Sequence, residues 1–176
     1  MKTEKSVLCL RPYERDDAGV ILSWLKDERA FRQWSADRYE RWPAAAADVN
    51  ANYDACTAGG RFYALTAEDE GGTVGHLTMR WLDESRTILR LGFVIVDCER
   101  RGQGVGRAML RLALRYAFDV LKAKKATLAV FENNEAAYRC YKAAGFKDVP
   151  CATPESYHIH GEVWLCREME YARQQI

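Results

Sequence analysis

The chain has 176 residues, 48% hydrophobic and 29% charged, which is enough for one domain with a sizeable core. Its 26 Lys and Arg against 25 Asp and Glu leave a formal net charge of +1, so no global field draws it to nucleic acid or to an anionic membrane. No apolar run approaches the roughly 20 residues of a membrane span, and the start, MKTEKSVLCLRPYERDD, lacks the apolar stretch of a secretory signal.

In chain order, SVLCLRPYE predicts a short strand ending near Pro12. In DDAGVILSWLKDE, Val20, Ile21, Trp24 and Leu25 share one helical face, with Asp16 as N-cap. WPAAAADVNANYDACTAGG predicts a second helix, opened by Pro43 and stopped by Gly59 and Gly60. RFYALT, TVGHLTMRWL and TILRLGFVIV are rich in β-branched and aromatic residues. The turn-like AEDEGG and DESR separate them, which predicts an antiparallel meander. From Val105 to about Lys122 the period turns helical. Val105, Met109, Leu112, Tyr116 and Val120 form an apolar stripe, and Arg107, Arg111 and Arg115 form another face.

ATLAVF reads as a strand. NEAAYRCYKAAGF reads as a short helix that presents Ala137, Cys140, Tyr141 and Ala144 on one side and ends at Gly145. SYHIHGEVWLCREMEY reads as a hairpin turning near His160 and Gly161. The expected class is α+β over a single domain, 1–176: a mainly antiparallel sheet with inserted helices and a strand–helix–strand crossover at 87–131. Cys9, Cys56, Cys98, Cys140, Cys151 and Cys166 form no CxxC pair, and the three histidines stand at no zinc-like spacing from them. That pattern predicts reduced thiols, a cytoplasmic protein and no metal.

The chemistry concentrates in ERRGQGVGRAML, residues 99–110, where an apolar strand feeds glycines 102, 104 and 106 and then a helix start. Such a junction gathers backbone N–H groups and the positive end of a helix dipole, and glycine lets phosphate oxygens approach. A dinucleotide fingerprint fails on spacing, because the third glycine would fall on Arg107 or Met109. A P-loop fails because no Gly-Lys-Ser/Thr occurs. A tight turn with a helix cap remains the plain alternative for the three glycines.

What remains is Arg101-x-x-Gly104-x-Gly106, which resembles the acyl-CoA pyrophosphate loop of the GCN5-related N-acetyltransferase (GNAT) superfamily. A second block matches the family's later segment at Asn134, Ala137, Tyr141, Gly145 and Phe146, about 30 residues downstream. The opening LRPYERDDAGVILSWLKDE looks like the branch of ribosomal-protein N-terminal and polyamine acetyltransferases. The resemblance implies a GNAT-like mixed, mainly antiparallel sheet of six to seven strands flanked by about four helices. It further implies transfer of an acetyl group from acetyl-CoA, as co-substrate and without a metal, to a primary amine in a ternary complex.

Carried over residue by residue, the resemblance implies that the N–H groups of Gly102, Gln103, Gly104, Val105, Gly106 and Arg107 hold the diphosphate, with Arg101 and Arg107 adding charge. It implies that the pantetheine arm lies along Phe93, Val94, Ile95 and Val96, where a backbone N–H also stabilises an oxyanion. Asn134 binds the arm or caps its helix. Tyr141 protonates the leaving thiolate, with Tyr138 as backup donor. Where the family's N-terminal acetyltransferases carry a glutamate on the fifth strand, this chain has Ala129. Candidate bases are therefore Glu28, His76, Asp83, Glu84, His158 and His160, or a base acting through water.

The acids and aromatics of the first two helices, Asp27, Glu28, Trp34, Asp37, Tyr39, Glu40 and Trp42, suit a small cationic amine or a peptide amine. The alternative function is a non-catalytic acyl-CoA sensor or assembly module. No nucleic-acid or membrane partner is expected, and analogy with relatives leaves a homodimer open.

Overall fold

The computed structural model describes residues 7–173. Alternating apolar and polar positions place eight strands and five α-helices in one mixed sheet architecture, one strand and one helix more than the upper expectation. In chain order they are β1 (Cys9–Pro12), α1 (Asp17–Ser23), α2 (Glu28–Ser35), α3 (Ala46–Thr57), β2 (Phe62–Asp69), β3 (Gly72–Trp81), β4 (Ile88–Val96), α4 (Val105–Arg115), β5 (Lys125–Phe131), α5 (Glu135–Ala144), β6 (Lys147–Val149), β7 (Ser156–Ile159) and β8 (Glu162–Ala172). The sheet order is β1-β2-β3-β4-β5-β8-β6, with β7 paired to β8. Every pairing is antiparallel except β4 with β5.

Alternation along the strands sends side chains to two faces. On one face, Leu77, Met79 and Trp81 of β3, Leu89 and Leu91 of β4, Leu128 of β5 and Met169 of β8 pack with Met109, Leu110, Ala113 and Leu114 of α4. On the other face, Ile21, Trp24, Phe31, Val49 and Tyr53 from α1–α3 close over Phe62 and Ile95. Arg11 ties the first strand to this layer. Its guanidinium donates twice to buried Asp17 at 2.8 Å, and its Nε donates to Glu68 at 2.7 Å.

Four local expectations change. The segment DDAGVILSWLKDE is not one helix. Asp27 accepts from the Ala30 N–H at 2.7 Å and starts a new helix, α2, whose Phe31 is fully buried. Pro43 does not open α3; the helix begins at Ala46, where Asp48 reaches back to the Ala45 N–H at 2.8 Å. The buried stripe of α4 runs through Met109, Leu110, Ala113 and Leu114, while Val120 is 61% exposed. The shift follows from a wider turn at 116–120, where Leu121 N–H bonds to Tyr116 C=O, five residues back, at 3.0 Å. β6 was not expected from sequence: it has three residues and is held only by pairing with β8.

Candidate active site

The site grows from a failure of pairing. β4 and β5 run side by side only at 88–90 and 125–127. Beyond Arg90 and Thr127 they part, and one edge of each strand is left without a neighbour. β4 also carries a bulge there. His76 pairs with Ile95 and Thr78 with Gly92, so Phe93 and Val94 together oppose Leu77. Phe93 sits at φ 48°, in the left-handed region, and the Trp34 indole N–H donates to its carbonyl at 3.0 Å. In a trans peptide the next N–H, that of Val94, points the opposite way from that carbonyl.

The gap between the two strands is a cleft of about 840 Å³. Its floor is β4 from Leu91 to Val96 and β5 at Leu128, Ala129 and Val130. One end is the loop that precedes α4. Gly102 and Gly104 take φ 75° and 83°, and Gly104 caps the helix. The first bond inside α4 runs from Ala108 N–H to Gly104 C=O at 3.0 Å, which leaves the N–H groups of residues 105–107 without helical partners. Gly106 serves packing instead: a Cβ there would stand 3.0 Å from Cys140 Sγ and 3.4 Å from Val96 Cγ2. Arg100, Arg101, Arg107 and Arg139 line the cleft; Arg100 is paired with Asp69 and Arg139 with Glu135, so Arg101 and Arg107 add positive charge to that of the helix dipole.

Of the residues singled out in the sequence, Phe93, Val94, Ile95, Val96, Arg101, Gly102, Gln103, Gly104, Gly106, Arg107, Asn134 and Tyr141 line the cleft. Val105 does not; its side chain turns into the core beneath α4. Asn134 caps α5 by accepting from the Ala137 N–H at 3.3 Å, and it also lines the cleft. Tyr141 is buried, and that burial, with Cys140 beside it, pushes its phenol well above the ordinary range.

Tyr138, the backup donor expected from the sequence, does not line the cleft. Its hydroxyl donates to Asp148 at 3.0 Å, and Arg167 covers its ring at 4.6 Å, on the side of α5 away from the cleft.

The expected bases do not converge. His76 is fully buried, bonded through Nε2 to the Tyr53 hydroxyl at 2.8 Å, and burial drives its pKa down to about 3. It is neutral and shut off from solvent. Asp83 accepts from the N–H groups of Thr87 and Ile88 and, with Glu84, belongs to the turn at the opposite end of β4 from the glycine loop. Glu28 lies 2.9 Å from His160 Nε2 and 3.4 Å from Arg32. His158 is exposed on β7. Among the described residues no carboxylate and no imidazole lines the cleft.

Among the aromatics and acids expected to suit a cationic amine, Trp34 lines the cleft and stacks on buried Tyr39, with ring centroids 6.2 Å apart. Trp42 packs on Phe31, and Asp27 is spent on the α2 cap. Asp37 and Glu40 are exposed. Sequence reasoning missed Glu168. It pairs across β8 with Ala129, the position that lacks the expected glutamate, and its carboxylate is held by Arg90. Only the strand register reveals this, because the two positions are far apart in the chain.

The family model for the acetyltransferase (GNAT) domain matches residues 7–147, and the chain belongs to that family. A probable spermine N(1)-acetyltransferase of Bacillus subtilis subsp. natto is 30% identical over 100 residues, covering 56% of this chain and 58% of that protein. The chain thus spans less than two thirds of this relative. The spermidine N(1)-acetyltransferase of Escherichia coli K12 is 27% identical over 138 residues, 78% of this chain and 71% of that one. The crystal structure of a Vibrio cholerae spermidine N-acetyltransferase, in complex with CoA and spermine, superposes with a TM-score of 0.78 at 21% identity. It covers 94% of this chain and 95% of that one, and establishes the fold.

Proposed function

We propose that this chain is an acetyl-CoA-dependent N-acetyltransferase that acetylates the primary amine of a small cationic molecule or a peptide. The observation that carries the reading is the parting of β4 from β5 directly beside the glycine loop and Tyr141. An extended amide-bearing arm fits that gap as an added strand, because the free edges of β4 and β5 offer it N–H and C=O groups. The N–H groups of residues 102–107, the α4 dipole and the surrounding arginines favour a diphosphate at one end. Asn134 offers the arm a side-chain amide.

Acetyl-CoA supplies the activated acyl carbon. In this reading the Val94 N–H stabilises negative charge developing on the acyl oxygen. Tyr141, kept protonated by its burial, donates to the departing sulfur as the carbon–sulfur bond breaks. The amine nitrogen forms the new bond and gives up a proton. In this reading a base outside the lining takes that proton through water, and Glu168, which pairs across the strands with Ala129 and is held by Arg90, is the candidate.

Polyamines are one class of acceptor to test, because the relatives are spermine and spermidine acetyltransferases. The test is release of free thiol from acetyl-CoA by purified protein over a panel of primary amines, with the acetylated product identified by mass. Amine-dependent thiol release supports the transferase reading. Tight acetyl-CoA binding without release on any amine supports the sensor alternative instead.

A further inference from the structure

The sheet face beside the cleft carries two rows of side chains. The row bordering the cleft is Thr78 of β3, Gly92 of β4, Ala129 of β5 and Glu168 of β8. The row behind it, two residues or roughly 7 Å along the strands, is Arg80, Arg90, Thr127 and Glu170. The rows point away from the α4 core, because the alternate residues Met79, Leu89, Leu91, Leu128 and Met169 fill that core.

The charges in the back row do not cancel. Arg80 and Arg90 face each other directly across β3 and β4, and like charges in that position repel. Arg90 is neutralised by Glu168 and leans on Thr127 Oγ1 at 3.4 Å. Lys125 takes Glu170 at 3.2 Å. Arg80 forms no ion pair among the described residues. Burial, then the nearby charges of Arg90 and Arg38, lower its pKa. Glu155 is the carboxylate near enough to act on it, and that group already accepts from the Tyr157 hydroxyl at 2.7 Å. By contrast, the acceptor end of the cleft is lined by Leu25, Ala30, Gln33 and Trp34, with no acid to hold a second ammonium group.

We propose that the acceptor is an amine that also bears a carboxylate, an amino acid or short peptide, and that Arg80 binds that carboxylate. This rests on the transferase reading and selects within it. The amine lies over Gly92 and Ala129, beside the bulge at Phe93. The carboxylate lies one row back, where it completes the charge balance of Arg80. A polyamine would place its second cation against Arg80 and Arg90.

The test is thiol release from acetyl-CoA with free amino acids, short peptides with free C-termini, the C-terminal amides of the same compounds, spermidine and spermine. It uses the wild type, Arg80→Gln and Arg80→Lys. The expected result is turnover of a carboxylate-bearing acceptor, with kcat/KM falling about tenfold or more on amidation (a tenfold change is 1.4 kcal/mol). Arg80→Gln raises the KM of the free acid to a similar degree, Arg80→Lys recovers part of it, and the KM values for the amide and for acetyl-CoA do not move. Preference for spermidine, equal use of acid and amide, or an Arg80→Gln defect shared by both overturns the proposal and leaves the transferase reading standing. Turnover of none of these amines, with acetyl-CoA still bound, overturns both.

Discussion

The Trp34 indole N–H holds the Phe93 carbonyl at 3.0 Å, so a side chain of α2 fixes the strand residue of β4 that has turned into the left-handed region. The same ring meets Phe93 edge-on with centroids 5.0 Å apart. A residue other than glycine at positive φ costs roughly 1–3 kcal/mol and persists only where its surroundings impose it. Here they impose it beside the free edge of β4, and the orientation of the Val94 N–H follows. Trp34→Phe keeps most of the ring contact and removes the donor. A net hydrogen bond contributes about 1 kcal/mol, so kcat is expected to fall about fivefold with the KM for acetyl-CoA unchanged. Steady-state kinetics checks this, and an unaltered kcat would count against the positioning role.

Tyr141 and Tyr138 lie one turn apart on α5 yet have opposite surroundings: one lines the cleft, and the other is tied to Asp148. Tyr141→Phe is expected to lower kcat on the order of a hundredfold, the usual scale for general acid catalysis, while calorimetry shows acetyl-CoA binding little changed. Tyr138→Phe should leave kcat as it is. Equal defects in the two variants would remove Tyr141 from the chemistry.

The loop glycines separate by the reason each is required. Gly104 needs its conformation, at φ 83°, and an added Cβ would find open space. Gly104→Ala therefore costs about 1–2 kcal/mol of stability through the backbone alone. Gly106 needs its size, because a Cβ meets Cys140 Sγ at 3.0 Å. Gly106→Val should push α4 from α5 and weaken acetyl-CoA binding on the order of tenfold, the scale of overpacking a tight contact. Denaturant unfolding and calorimetric titration distinguish the two effects.

His76 governs stability in acid. Its pKa in the folded chain, about 3, lies below the ordinary 6.5 because burial penalises the imidazolium. Below pH 6.5 the unfolded chain binds a proton that the folded chain refuses. Stability therefore falls as pH drops from 6.5 towards 3, with a limiting slope of about 1.4 kcal/mol per pH unit from this group. His76→Gln, which retains a partner for the Tyr53 hydroxyl, should flatten urea-unfolding stability across that window. An unchanged slope would place the acid sensitivity elsewhere.

Much of the site was legible because it is local in sequence. The spacing of Arg101, Gly104 and Gly106, and of Asn134 and Tyr141, lies within two short segments, and each segment carries its own helix start. What was not legible depends on register and burial. Nothing in the spacing of His76 separates a base from a core residue; only packing against Tyr13 and Tyr53 does. Glu168 and Arg80 gain meaning only once β8 lies on β5 and β3 on β4. The α2 start at Asp27 was hidden because Trp24 and Leu25 continue the apolar period of α1 even though the chain has already turned.

The claim on which the account turns is that the main chain at residues 102–107 and the free edge of β4 receive coenzyme A. Backbone amide resonances of the isotope-labelled protein, followed during titration with coenzyme A, test it most directly. The account predicts that the amides of residues 102–107 and 94–96 shift most, and that the exposed helical amides of α3 barely move. Saturable binding that leaves the amides of residues 102–107 in place would contradict it.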